Sequence, residues 1–221
     1  MVVKVFTLKL LLSRAYLVEI RGNTILVDAG IPGEERRILR SLKSAGYGKL
    51  DLIYITHAHI DHCGSAAAIR EITGAPIAVH ESDSEALEAG ESRLGTGRGL
   101  GKLVKRIFPL VQKIYPAPPA RPDFILHDHQ ELSALGFEGS VLHTPGHTIG
   151  SSCLLVGEMA FAGDLLSTTG EVPRLQRYFA ESWPSLEPSL EKLVEAAPKI
   201  VYPGHGNNPI VFDELERLLN Q

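Results

Sequence analysis

The chain has 221 residues, of which 44% are hydrophobic and 22% charged, and its net charge is −4. That length suits one domain spanning 1–221, with an insertion at about 82–122, and the charge gives no overall pull towards nucleic acid or an anionic membrane. Two cysteines, Cys63 and Cys153, make no disulfide framework, no apolar run approaches the ~20 residues of a membrane span, and Lys4 and Lys9 break the first apolar run. The expectation is a cytoplasmic protein with no membrane partner.

Residues 2–12 alternate as a strand. Residues 15–20 and 24–27 read as a hairpin turned at Gly22-Asn23, and the second strand ends in a carboxylate, Asp28. Residues 34–45 carry a helical stripe of Ile38, Leu39, Leu42 and Ala45, stopped by Gly46 and Gly48. A strand follows at 50–55, a helix at 65–72, a turn at Gly74-Ala75-Pro76 and a strand at 77–80. Strands alternating with helices point to an α/β protein.

Residues 82–122 break that rhythm. After a helix at 82–89, Gly95, Gly97, Gly99 and Gly101 suggest a flexible stretch. Leu100, Leu103, Val104, Ile107, Val111 and Ile114 form an amphipathic stripe interrupted by Pro109, and a proline-rich loop follows. From 93 to 122 there are seven basic residues and no acidic one, so the rest of the chain carries −11 against −4 for the whole. That run is either a solvated helix face or a rim that favours an anionic small-molecule substrate. Its apolar side is a candidate homo-oligomer interface.

Short strands return at 124–127, 131–135, 139–143, 152–156 and 159–162. A helix carries Leu186, Leu190, Leu193 and Val194, a strand lies at 199–202, and a closing helix carries Val211, Leu215, Leu218 and Leu219. Each half runs several strands and then helices, so two sheets packed face to face with helices outside, an αββα sandwich, is the expected architecture.

The chemistry concentrates at the end of the 50–55 strand, in His57-Ala58-His59-Ile60-Asp61-His62. In an extended backbone His57, His59 and Asp61 share a face and His62 points away, so the chain must bend near 60–62 to use all four. Ionisable groups this dense repel unless something neutralises them. Imidazole and carboxylate suit Zn2+, with Mn2+ or iron as alternatives, and four ligands from one stretch suggest two metals in a shared cleft. Three later strand ends carry further candidates beside glycine: His147 after Gly146, Asp164 after Gly163, and His205 after Gly204. His80, His127, His129 and His143 lack such a setting and read as structural or surface residues.

The set Asp28, His57-Ala58-His59-Ile60-Asp61-His62, His147, Asp164 and His205 resembles the metallo-β-lactamase superfamily, in its order and on its strand ends. The resemblance implies the αββα fold. It also implies one metal held by His57, His59 and His147, a second held by Asp61, His62 and His205, and Asp164 bridging them, with Asp28 supporting the site from behind. β-Lactamases of this fold often use cysteine where this chain has Asp164, which argues against antibiotic hydrolysis. The chain looks more like hydroxyacylglutathione, lactone and thioester hydrolases.

The expected activity is therefore hydrolysis of a small ester, thioester or lactone by hydroxide held between two divalent metals, Zn2+ favoured. Asp61 is the expected catalytic residue, orienting the nucleophile or passing a proton to the leaving group. Arg174, Arg177 and Tyr178 are weaker candidates for substrate contact. Two alternatives stand: a phosphodiesterase or nuclease on the same centre, disfavoured by the acidic remainder, and a dioxygenase of thiols or persulfides with one iron on His57, His59 and His147.

Overall fold

A computed structural model describes residues 2–114, 116–170 and 172–220. The side chains of Val111 and Ile114, part of the expected amphipathic stripe, lie outside the described residues. Among the described residues no helix is long and apolar enough to cross a membrane.

The first half opens with three antiparallel strands, β1 (Val3–Lys9), β2 (Arg14–Ile20) and β3 (Asn23–Val27). After α1 (Glu35–Ser44), β4 (Leu52–Ile55) pairs parallel to β3. Then come α2 (Ile60–Cys63), α3 (Ala66–Thr73), β5 (Ile77–His80) and α4 (Glu81–Ala89). A two-residue strand, β6 (Thr96–Gly97), and α5 (Gly101–Ile114) lead to β7 (Phe124–Leu126), which completes a six-stranded sheet in the order β1-β2-β3-β4-β5-β7.

The second half supplies β8 (Ser140–His143), β9 (Ser152–Val156), β10 (Met159–Thr168), β11 (Arg174–Leu175) and β12 (Phe179–Ala180). They are followed by α6 (Leu186–Glu195), β13 (Ile200–Gly206), β14 (Ile210–Val211) and α7 (Phe212–Leu219). This sheet runs β14-β13-β10-β9-β8, with β11 on the far part of β10.

The two-residue period of the strands sorts the core into three layers. Ile53 and Ile55 of β4 face α1 and α3, packing with Ile38, Leu42 and Ile69. Their neighbours Leu52 and Tyr54 face the other way and meet Leu154, Val156 and Phe161 of the second sheet. Ala160 and Ala162 flank Phe161 on β10 and pack outward against Leu186, Leu190 and Leu215 of α6 and α7. Helix, sheet, sheet, helix is the αββα sandwich that the sequence leads one to expect.

Several expected boundaries move. The first strand ends at Lys9 rather than 12. The strand expected at 131–135 is a turn of 3-10 helix at Leu132–Leu135, closed by Gly136 in the left-handed region; its leucines repeat at i, i+3, a helical spacing. The glycines at 95–101 are not slack. Gly97 pairs with Phe179 across β6 and β12, and a Cβ on Gly101 would collide with the Tyr178 carbonyl, so glycine permits close backbone approach there. Pro109 does not interrupt α5, which runs through it at the cost of one backbone bond. The strands expected at 159–162 and 199–202 run on as β10 and β13, paired parallel through Ser167↔His205, with irregular register on either side of Gly163.

Candidate metal centre

Every candidate ligand sits where a strand delivers its C-terminal end to one edge of the sandwich. His57 follows β4, and the backbone bends where expected: His59 is extended, at φ −82° and ψ 146°, and α2 begins at the next residue. That bend turns Asp61 and His62 inward. His147 lies in the loop after β8, Asp164 in the irregular stretch of β10, and His205 near the end of β13.

The seven residues converge. The His147 Nε2 to His59 Nδ1 distance is 2.9 Å, and His62 Nε2 to His205 Nε2 is 3.4 Å. Asp164 lies between, 3.2 Å from His62, 3.2 Å from His205 and 3.4 Å from His147. Asp61 is 3.4 Å from His205. His57, His59 and His147 form one group that could hold an ion, and Asp61, His62 and His205 another; His57, His62 and Asp164 link them.

Each imidazole is fixed from behind. His62 Nδ1 donates to Asp28 (2.8 Å), His205 Nδ1 to the Leu12 carbonyl (2.9 Å), His147 Nδ1 to the Phe179 carbonyl (3.1 Å), and His59 Nε2 to the Arg93 carbonyl (3.2 Å). His57 Nδ1 donates to Thr56 Oγ1 (3.1 Å), whose own hydroxyl proton goes to Asp28. Asp28 thus holds one ring from each group, directly and through Thr56, and does so with φ at +61°, a strained value for a non-glycine residue. Such backing fixes the tautomer and leaves the other nitrogen free for a metal.

Two of the inward-facing atoms lack partners of their own. His57 Nε2 and Asp164 Oδ1 are buried without a hydrogen bond. Orphaned buried polar atoms are costly, and a set of imidazole nitrogens and carboxylate oxygens aimed at one point fits divalent Zn2+, Mn2+ or iron.

The two groups differ in charge. Burial, with the neighbouring histidines, pushes His57 well below the ordinary histidine value and His147 down to about 3, so both are neutral and ready to ligate. At His62 burial also pulls down, but Asp164, Asp61 and Asp28 outweigh it and raise the value well above the ordinary one. Asp164 is held well below the carboxylate range by His205, His62 and His147, against the effect of burial.

Glycine makes the crowding feasible. A Cβ on Gly204 would meet Asp164 Oδ1 at 2.5 Å, and one on Gly163 would meet Thr56 Oγ1 at 2.6 Å.

A cavity of about 440 Å³ opens over the cluster. His59, Asp61, His147, Asp164 and His205 lie on its floor; Val104, Ile107 and Phe108 of α5 form its roof; Arg174, Arg177 and Tyr178 line a side. None of the seven basic residues of 93–122 lines it. Arg98 stacks on Trp183 at 4.0 Å, and Lys105 reaches the Gly95 carbonyl. The four remaining histidines stay outside the cluster, His80 and His143 stacked on each other at 3.9 Å.

Asp83 does not stand out in the sequence. It is buried in α4, accepts from Ala58 N (2.8 Å), Thr148 Oγ1 (2.8 Å) and Gly150 N (2.9 Å), and so ties the His57–His59 loop to the His147 loop. The one signal is its place on the helix face of Ala86 and Leu87, both buried.

The chain is similar to several known proteins. The sequence model of the metallo-beta-lactamase superfamily matches residues 8–205. A protein named as a probable metallo-hydrolase of Methanocaldococcus jannaschii is 27% identical, over 88% of this chain and 87% of its own length. Among solved structures, one described as a di-iron-bound form is 29% identical with a TM-score of 0.72, covering 97% of this chain and 98% of that one. A B3 metallo-beta-lactamase is 25% identical with a TM-score of 0.71, covering 96% and 95%.

Proposed function

The chain belongs to the metallo-β-lactamase superfamily and is a metal-dependent hydrolase, and we propose that it uses two ions to cleave a small ester, thioester or lactone. The observation that carries this reading is the convergence of five imidazoles, each fixed through its outer nitrogen, around the Asp164 carboxylate, with His57 Nε2 and Asp164 Oδ1 left buried and unpaired. In this reading His57, His59 and His147 hold one ion, Asp61, His62 and His205 the other, and Asp164 both. Ions bound there would supply Lewis acidity and lower the pKa of a water towards neutrality. Zinc suits the donors; iron is the rival, given the di-iron neighbour.

The chain's own groups would do the rest. Asp61, on the cavity floor and partly open, is placed to orient the attacking water or pass a proton to the leaving group. Arg174 and Arg177 line the cavity and would bind an anionic part of the substrate, a role the basic run of 93–122 is not placed to fill. The apolar roof would exclude bulk water and strengthen these interactions. A phosphodiester is the second reading, but an apolar roof suits a nucleic-acid backbone poorly.

The test is metal content per chain on protein purified without added metal, repeated for His62→Ala and Asp164→Ala. About two ions per chain, falling towards one in the variants, is the expected result. A single iron, unchanged in both, would overturn the dinuclear reading in favour of the mononuclear dioxygenase. A panel of carboxylic esters, thioesters, lactones, phosphodiesters and a β-lactam then separates the chemistries, with acyl substrates expected to be turned over fastest.

A further inference from the structure

The roof of the cavity does not end at the cavity. Val104 and Ile107 line it yet remain partly open to solvent. At helical spacing on the same side of α5 stand Leu100, Leu103 and Leu110, exposed by 71%, 63% and 63%. Leu12, also exposed, lines the cavity from the N-terminal strand region. An apolar surface therefore runs from above the metal cluster, across the roof and out along the helix.

Two features make this more than a scatter of surface leucines. Proteins seldom leave a contiguous apolar strip bare unless something covers it. The strip is also continuous with the wall of the reaction cavity, so whatever lies in the cavity can extend onto it. Among the charged side chains of α5, Lys102 and Lys105 fall away from it by helical spacing, while Arg106, three residues after Leu103 and four before Leu110, and Lys113, three after Leu110, border its outer edge. A cavity of about 440 Å³ is also larger than an acetyl group needs.

We propose that this strip seats the hydrocarbon chain of the substrate. The inference rests on the hydrolase reading above and narrows it to amphiphilic acyl compounds. The scissile carbonyl would sit over Asp61 and Asp164, the chain would pass beneath Val104 and Ile107, and its end would lie against Leu103 and Leu110. Hydrolysis adds water across the acyl bond, giving a fatty carboxylate and the freed alcohol or thiol.

The test compares the metal-loaded wild type with the double variant Leu103→Ser/Leu110→Ser on p-nitrophenyl esters from acetyl to dodecanoyl. Binding of a fluorescent long-chain fatty acid to both proteins is measured in parallel. In the wild type, kcat/KM should rise about twofold per added methylene, roughly half the effect of full burial because the strip is open on one side. The slope should flatten in the variant, and fatty-acid affinity should fall about tenfold. Turnover of the acetyl ester with no dependence on chain length would overturn the inference and leave the hydrolase reading standing. No turnover of any ester, with fatty-acid binding still lost in the variant, would overturn the hydrolase reading and keep the seat. A dimeric wild type that becomes monomeric in the variant, with fatty-acid binding unchanged, would assign the strip to a second copy and overturn the proposal.

Discussion

Asp164, on the floor of the cavity, is buried and lies within 3.4 Å of three imidazoles. Leu103, on the roof helix, stands open and is fixed by no polar partner. The floor is held in place: every inward nitrogen is aimed by an outward hydrogen bond, and two loops are tied through Asp83. The roof is one helix with an apolar face. Rigid, polar and hydrogen-bonded construction fixes the positions of reacting atoms. A bare hydrocarbon surface tolerates many shapes and rewards length. The contrast implies a chemistry that is narrowly set and a substrate range that is broad along one dimension.

Substitutions should separate these two kinds of construction. The largest effect belongs to the floor: if the proposed two-ion ester hydrolase is right, His57→Ala should cost the ion assigned to His57, His59 and His147 and bring ester turnover to background, read by metal analysis and rate. Asp28→Asn should keep the fold but weaken metal affinity about 10- to 100-fold, because it loosens His62 directly and His57 through Thr56; titration against a competing chelator measures this. Asp83→Ala should lower stability by about 3 kcal/mol, since it strands two buried N–H groups and a hydroxyl, and denaturant unfolding checks it.

The stacked pair offers a test by pH. Burial, together with His143, lowers the His80 pKa to about 4, below its ordinary value of 6.5. The unfolded chain therefore takes up the proton first. Stability from this group is complete above about pH 6.5 and drains away as pH falls towards 4. His80→Phe should flatten that acid limb in chemical denaturation measured across pH. The smallest effect belongs to the roof: Leu103→Ser should change stability by no more than about 0.5 kcal/mol and metal content not at all. A large loss of stability there would show that the roof is packed like the floor and erase the contrast.

The residues of the cluster were legible because their chemistry is concentrated and their setting repeats. Three histidines and an aspartate within six residues crowd ionisable groups that only a shared cation readily reconciles, and a glycine precedes each of His147, Asp164 and His205. What fixes these side chains was much less legible. The carbonyls of Leu12, Arg93 and Phe179 hold three of the five rings, and a carbonyl has no letter in the sequence. The layers followed from strand periodicity, since alternate residues of β4 serve different cores. Strand ends were misplaced where Gly163 and Pro203 read as stops; both lie inside paired strands. The basic run of 93–122 was visible, but its direction depended on how α5 settled, with its apolar residues over the cavity.

The bond from His205 to the Leu12 carbonyl joins positions 193 residues apart in sequence. The two halves of the centre close loops of unequal length: His59 meets His147 across 88 residues, and His62 meets His205 across 143. Loop closure becomes costlier with separation, and a chain made from its N-terminus acquires the shorter contact first. During synthesis the three-histidine group can therefore come together while the strand carrying His205 has yet to emerge. The cluster therefore has a built-in order of assembly, with the three-histidine group ahead of the group that needs His205.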